Sequence, residues 1–216
     1  MKYHIIPVTD LLENCTILWC EHTRAAAIVD PGGESERIIE SVRQLRVTPV
    51  RILLTHGHLD HIGAAGIIAQ QLSIPIEGAH INDKPWFEAL EQQSRMFGFP
   101  IVDNFLPDRW LKHKEQVHFG KQVLEVLHCP GHTAGHVVFF HHQDQLALVG
   151  DVIFRNGIGR TDLALGDYNT LMRSIHETLL PLGDQVRFIP GHGPMSDFGR
   201  ERQYNPNLKH VSISLD

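Results

Sequence analysis

Features of exported and membrane proteins are missing from this sequence. No stretch approaches the roughly 18 uninterrupted apolar residues that a membrane helix needs, and the N-terminal segment 1–7 contains no apolar signal region. The cysteines are few, Cys15, Cys20 and Cys129, and their spacing fits neither a disulfide framework nor a cysteine metal site. We therefore expect a soluble protein of the reducing cytoplasm that has no membrane partner.

Positive charge is also scarce. Lys and Arg number 19 against 25 Asp and Glu, which gives a net charge of −6 with neutral histidines. No cluster of Lys and Arg is dense enough to follow a phosphate backbone, so a nucleic-acid partner is not expected. The 216 residues contain no repeat, low-complexity segment or long linker, and this predicts one domain spanning residues 1–216.

Histidine, by contrast, is abundant. There are 16 His residues against 19 Lys and Arg together. Imidazole is the commonest nitrogen ligand of zinc and also titrates near neutral pH, so the positions of these residues carry functional information.

The apolar pattern predicts an α/β protein whose helices flank two stacked mixed sheets, an αββα sandwich. The first half alternates strands and helices, and the second half is richer in strands. Ser35 is the expected N-cap of the first helix. Strands are predicted at 25–29, 50–54, 74–77, 117–119, 122–127, 137–140, 146–149 and 186–189. Helices are predicted at 35–47, 62–72, 82–98 and 168–180, with an ordered loop at 99–107 and a short helix plus an extended end from 198 onward.

A dense cluster of metal-ligand side chains follows the second predicted strand. Within six residues of one another lie His56, His58, Asp60 and His61. Strand ends are where α/β folds commonly hold functional groups, and Gly57 lets the chain bend between the first two histidines. Such a cluster is improbable by chance even in a His-rich chain, so it predicts a metal site.

Three further candidates, His132, Asp151 and His192, each follow an apolar strand and stand next to a glycine. Each of them alone is typical of an ordinary turn or cap. Four loops of this kind in one chain supply about as many nitrogen and oxygen ligands as two borderline-soft cations need, including a carboxylate able to bridge them. The sequence therefore predicts a two-metal site.

In this order, the motif THxHxDH at residues 55–61 and the later Gly-His, Gly-Asp and Gly-His pairs resemble the metallo-β-lactamase superfamily, over nearly the whole chain. The resemblance implies that one metal is bound by His56, His58 and His132. It implies that the other is bound by Asp60, His61 and His192, with Asp151 as the bridge. Asp30 is expected to support the metal-bearing loops without binding metal.

The resemblance also implies the cofactors and the reacting groups. Two divalent metal ions per chain are expected, zinc first, although His and Asp ligands also accept iron or manganese. Asp60 and Asp151 are the expected catalytic carboxylates, and no organic cofactor site is predicted.

Within the superfamily the chain is similar to the short type of glyoxalase II, on the stretch 154–163 and on Asn205-Pro206-Asn207. This implies a hydroxyacylglutathione hydrolase that cleaves the thioester S-lactoylglutathione into a 2-hydroxy acid and glutathione. Arg160 is the candidate for binding a substrate carboxylate, since a guanidinium holds carboxylates bidentately. The basic residues that longer glyoxalases II carry in an added C-terminal domain have no counterpart here.

Other functions stay open at this point. Persulfide dioxygenases share the fold and the first motif, and there residues matching His56, His132 and Asp151 hold one iron for an oxidation of glutathione persulfide. A β-lactamase is disfavoured because efficient ones usually carry cysteine where Asp151 stands, and are exported. Nucleases of the superfamily usually carry extra domains, and non-catalytic members tend to lose ligands. Oligomeric state is not indicated by the sequence.

Several residues near the motifs are better explained by structure than by chemistry. His136 is expected to support the site by hydrogen bonding rather than to bind metal. Cys129 is expected to be a small buried thiol. The aromatic residues Trp86, Phe87 and Phe97 are expected to belong to the core rather than to a substrate wall.

Overall fold

A computed structural model describes residues 1–208 and places two sheets face to face. In the first sheet, the first three strands pair antiparallel and the last three pair parallel. In spatial order it contains β1 (Lys2–Val8), β2 (Glu13–Trp19), β3 (Ala25–Val29), β4 (Thr48–Leu54) and β5 (Ile76–Gly78).

The second sheet is mixed as well, because one parallel pair interrupts its antiparallel order. Its strands, given in chain order, are β6 (Gln116–Phe119), β7 (Gln122–His128), β8 (Val137–His141), β9 (Leu146–Gly150), β12 (Arg187–Pro190) and β13 (Ser196–Asp197). Between β9 and β12 the chain forms a separate small hairpin of β10 (Ile153–Phe154) and β11 (Gly157–Ile158).

Helices cover both outer faces of this pair of sheets. They are α1 (Ser35–Leu45), α2 (Leu59–Ile62), α3 (Ala65–Leu72), α4 (Lys84–Phe87), α5 (Leu90–Phe97), α6 (Tyr168–Arg173) and α7 (Phe198–Tyr204). Helix α6 continues into a π-helical turn at Ser174–Leu179, and short 3₁₀ turns occupy Ile81–Asp83, Leu180–Leu182 and Pro206–Leu208. No helix among residues 1–208 has the length and apolar character to cross a membrane.

Apolar side chains form three layers, one between the sheets and one under each layer of helices. Successive strand residues point to opposite faces. Ile28 therefore packs under α1 while its neighbour Val29 packs between the sheets, and Phe139 and Phe140 divide in the same way on β8. The αββα sandwich of two mixed sheets is confirmed.

The first two strands are absent from the prediction. Strand β2 is buried from Glu13 to Leu18, yet this stretch contains three polar residues, Glu13, Asn14 and Thr16. Because polar and apolar residues are buried together on this strand, its sequence shows no alternation by which it would be recognised.

Two details of the predicted helices are wrong. Ser35 is not the N-cap of α1, because the cap position is Glu34, in a left-handed conformation with φ 51° and without a capping side chain. The predicted helix 82–98 is interrupted between α4 and α5, where Gln93 donates a hydrogen bond to the carbonyl oxygen of Trp86 at 2.9 Å. The short helix after 198 is confirmed as α7, whereas the extended end beyond 208 lies outside the described residues.

Candidate metal centre

The predicted ligand side chains gather on loops that follow strands of both sheets. His56 and His58 lie on the loop after β4, and Asp60 and His61 lie on α2 directly behind it. The remaining three follow strands of the second sheet: His132 after β7, Asp151 after β9 and His192 after β12.

Three histidines form a first group. The Nε2 atom of His56 lies 3.1 Å from Nδ1 of His58, which in turn lies 3.0 Å from Nε2 of His132. Tetrahedral zinc with Zn–N bonds of about 2.0–2.1 Å separates its nitrogens by about 3.3 Å. These two distances, with all three ligand atoms within 4.8 Å of one another, fit the ligands of a single ion.

Asp60, His61 and His192 form a second group, with ligand atoms within 4.8 Å of one another. The Asp60 Oδ2 atom lies 3.2 Å from Nε2 of His192 and 3.8 Å from Nε2 of His61. Asp151 lies between the groups, since its Oδ2 atom is 3.5 Å from Nε2 of His132 and 3.6 Å from Nε2 of His192. One carboxylate thus reaches both groups.

Hydrogen bonds fix the orientation of four of these imidazoles. In each ring Nδ1 lies within hydrogen-bond distance of an oxygen acceptor, so in the neutral imidazole the proton belongs on Nδ1 and the lone pair on Nε2. The pairs are His56 with Thr55 Oγ1 at 3.0 Å, His61 with Asp30 Oδ2 at 2.9 Å, His132 with the Arg160 carbonyl at 2.7 Å and His192 with the Leu11 carbonyl at 3.0 Å.

The residues present fit divalent cations. Within residues 1–208, the buried atoms His61 Nε2 and Asp151 Oδ1 have no hydrogen-bond partner although they lie 3.4 Å apart. An unsatisfied buried polar atom costs free energy, and a cation between the two would remove that cost. A third grouping, of Asp30 with His56 and His61, fits less well, because the Asp30 carboxylate already accepts hydrogen bonds from Thr55 and His61.

The two groups differ in electrostatics. Burial and the neighbouring His132 lower the pKa of His58 to about 3, so it is neutral, as a metal ligand must be. Burial also lowers the pKa of His61, but the charges of Asp151 and Asp60 outweigh it and raise that pKa well above its usual value. Without a metal, the second group therefore holds a proton, which a bound cation would replace.

Asp83 joins the two histidine-bearing loops, a role for which its sequence context offers no signal. Its carboxylate accepts hydrogen bonds from the backbone of Gly57 at 3.0 Å, from the backbone of Gly135 at 2.6 Å and from the Thr133 hydroxyl at 2.8 Å. The first loop carries His56 and His58, and the second carries His132. Asp83 thus holds together the two loops that carry the first group of histidines.

Glu13 is a second residue that sequence reasoning missed. It is fully buried on β2, with one carboxylate oxygen 3.8 Å from Nδ1 of His61. Burial raises the pKa of this carboxyl well above its usual value, more than the neighbouring His61 lowers it. Its place directly behind a predicted ligand became visible only once β2 was located.

A cavity of about 340 Å³ opens onto the two groups. Arg160, the candidate for binding a substrate carboxylate, lines it, and its guanidinium donates two hydrogen bonds of 2.7 and 2.8 Å to Asp162. Leu11, Phe97 and Phe99 contribute apolar walls. The expectation that Phe97 belongs to the core is therefore wrong, because the last turn of α5 exposes it at the cavity, whereas Phe87 is fully buried.

The supporting residues behave as expected. His136 Nε2 accepts a hydrogen bond from the backbone N–H of Asp151 at 3.0 Å and is fully buried. Cys129 is buried too, and burial raises the pKa of its thiol well above the usual value. A protonated thiol of this kind is a core residue rather than a nucleophile.

Comparison with known proteins gives one family. The sequence model of the Metallo-beta-lactamase superfamily matches residues 8–192. Hydroxyacylglutathione hydrolase GloC of Haemophilus influenzae is 45% identical over 213 residues, which cover 98% of this chain and 100% of the relative.

Two solved structures resemble this one closely. The B3 metallo-beta-lactamase BLEG-1 superposes with a TM-score of 0.90 at 36% identity, covering 97% of this chain and 100% of that chain. TTHA1623, in a di-iron-bound form, gives a TM-score of 0.86 at 33% identity, covering 94% of this chain and 98% of that chain.

Proposed function

Because the chain belongs to the metallo-β-lactamase superfamily and is a metal-dependent hydrolase, we propose that it hydrolyses thioesters, with S-lactoylglutathione as the substrate. The products are a 2-hydroxy acid and glutathione. The observation that carries the proposal is the pair of ligand groups joined by Asp151, at the floor of a cavity with apolar walls and one arginine.

We propose that the two groups are the two metal sites and that the ions are zinc. His56, His58 and His132 hold the first ion, Asp60, His61 and His192 hold the second, and Asp151 binds both. The support is that Nδ1 is hydrogen-bonded in four of the histidines, which leaves Nε2 as the ligand atom of each neutral ring. Iron or manganese would suit the same ligands, and TTHA1623 was solved with two irons.

Bound divalent ions lower the pKa of a shared water and polarise a carbonyl oxygen, and a thioester requires both. The residues of the chain would position the ions beside the cavity. Asp60 and Asp151 supply negative charge on the cavity side of the centre, and the carbonyl oxygens of Leu11 and Arg160 orient His192 and His132. No general acid is needed, because a thiol of pKa about 8.5 leaves readily as thiolate.

Recognition of glutathione rests on Arg160 in this proposal. The side chain lines the cavity, and a substrate carboxylate would compete with Asp162 for its guanidinium. The relative in Haemophilus influenzae is named a hydroxyacylglutathione hydrolase, which supports the same substrate class. We also propose that residues 1–216 form one domain, and that it works in the cytoplasm, where its three free cysteines would stay reduced.

The test combines metal analysis with substrate assays on the purified protein. We expect two metal ions per chain, release of glutathione from S-lactoylglutathione, and loss of both metal and activity in His58→Ala with the fold retained. Full metal content and activity in His58→Ala would contradict the ligand assignment. One iron per chain with oxygen uptake on glutathione persulfide would replace the hydrolase by a dioxygenase, and turnover of a β-lactam in place of the thioester would overturn the substrate class.

A further inference from the structure

The β10–β11 hairpin connects the metal centre with the cavity rim. It begins two residues after Asp151 and ends two residues before Arg160. The Arg160 carbonyl accepts the Nδ1 proton of His132 at 2.7 Å, and the Arg160 side chain lines the cavity. The position of this hairpin therefore determines both an imidazole of the first group and the cavity arginine.

Packing around Gly159 makes this connection stiff. The Gly159 N–H donates to the carbonyl of Val152 at 3.3 Å, which closes the base of the hairpin. A Cβ atom at Gly159 would lie 1.9 Å from the carbonyl oxygen of Asp151 and 3.2 Å from the ring of His132. A shift of the hairpin would therefore be transmitted to these two residues.

Two fully buried side chains from α7 and its end hold the tip of the hairpin. The Asn205 amide donates to the carbonyl oxygens of Gly157 at 2.9 Å and Phe154 at 3.4 Å. Glu201 Oε2 accepts from the backbone N–H of Asn156 at 2.7 Å and from the Asn205 amide at 3.0 Å. The other Glu201 oxygen accepts from Ser196 and Arg200.

From these contacts we infer that Glu201 and Asn205 are positioning residues of the metal centre, which act on His132 and Arg160 through the β10–β11 hairpin. Both residues belong to the C-terminal helix region, distant in sequence from every proposed ligand except His192. The Glu201 carboxylate and the Asn205 amide hold the turn between β10 and β11 in place. The inference rests on the proposed first metal site but not on the thioester substrate.

The test measures the two zinc affinities of the chain by competition with a chelator. Glu201→Ala and Asn205→Ala are expected to weaken the first zinc site about tenfold, the lower end of what second-shell substitutions cause, with little change at the second site. Glu201→Gln is expected to recover most of the lost affinity, because its amide oxygen can still accept from Asn156 and its NH₂ group can donate to the Ser196 hydroxyl, although the contact with Arg200 is lost. Arg202→Ala is the matched control, since Arg202 on the same helix bonds Asp184 and the Leu180 carbonyl instead of the hairpin.

Two results would overturn the inference: unchanged zinc affinity in both alanine variants, or equal weakening of both sites in proportion to lost thermal stability. If Glu201→Ala does not fold, the test uses Asn205→Ser. This variant removes the Asn205 amide donor with a smaller loss of side-chain volume, and the same two results would overturn the inference. His132→Ala tests the ligand assignment separately. If that variant keeps the first zinc, the proposed ligand set fails independently of the positioning role.

Discussion

The carbonyl oxygen of Leu11 accepts the Nδ1 proton of His192 at 3.0 Å, a contact between residues 181 positions apart. Leu11 lies in the turn between β1 and β2, and its side chain lines the cavity. One residue at the N-terminal hairpin thus orients a proposed ligand through its backbone and borders the cavity through its side chain.

These two roles of Leu11 are separable by mutation. We expect Leu11→Ala to keep both metal ions, because the carbonyl remains, and to raise the KM for the thioester about fivefold, which corresponds to losing about 1 kcal/mol of apolar contact. Leu12→Ala is the control, since Leu12 is a neighbouring exposed leucine that is not among the residues lining the cavity. Loss of metal in Leu11→Ala, or an equal KM change in Leu12→Ala, would show that the assignment is wrong.

Asp30 is expected to control the second metal site without touching the metal. Its Oδ2 atom holds the Nδ1 proton of His61 at 2.9 Å, and its other oxygen accepts the backbone N–H of Thr55. Asp30→Asn should weaken the second site 10–100-fold, as loss of such a partner typically does. Chelator competition measures this, with the exposed Asp103→Asn as control. If the second site binds metal equally well in the two variants, Asp30 does not support that site.

Gly191 is predicted to tolerate no side chain. A Cβ atom there would lie 2.1 Å from Oδ1 of Asp151 and 2.6 Å from the ring of His61. Gly191→Ala should therefore abolish binding of the second metal, as measured by metal content after gel filtration. Gly66→Ala is the control, because its nearest neighbour would be 3.9 Å away, on Phe105, and alanine favours a helix by about 1 kcal/mol. A Gly191→Ala protein that retains two metals would contradict this packing.

Sequence reasoning located those groups whose side chains leave a local pattern. His56, His132 and Asp151 stand after apolar strands and next to glycines or other candidate ligands, so their gathering at one place in the fold was predictable. Leu11 and Arg160 orient histidines through backbone carbonyl oxygens, which every residue has, and so no sequence signal marks this role.

Glu13 and Asp83 were missed for a different reason. Each is a single carboxylate among 25 acidic residues, and its role depends on contacts with residues far away in the chain. Glu13 approaches His61 across 48 positions, and Asp83 reaches Gly135 across 52. Long-range contacts of this kind follow from the folded topology, not from local spacing.

Asp83 also predicts how stability depends on pH. Burial raises the pKa of its carboxyl to about 6, although the hydrogen bonds from Thr133, Gly135 and Gly57 lower it. The carboxyl of an unfolded Asp has a pKa of about 3.9. The folded state therefore binds this proton more tightly. The resulting stabilisation is complete below pH of about 4 and is lost as the pH rises through about 6, with a limit of about 3 kcal/mol.

The measurement is the free energy of unfolding of the metal-free protein and of Asp83→Asn, followed from pH 4 to pH 7 in the presence of a chelator. Subtracting the two curves cancels the other titrating groups, and the difference in favour of the wild type should shrink between about pH 4 and 6 and then level off. A difference that grows with pH would mean that the three hydrogen bonds lower the pKa of Asp83 by more than burial raises it. In that case Asp83 would join the loops as a stable anion, and its substitution by Asn would cost most at neutral pH.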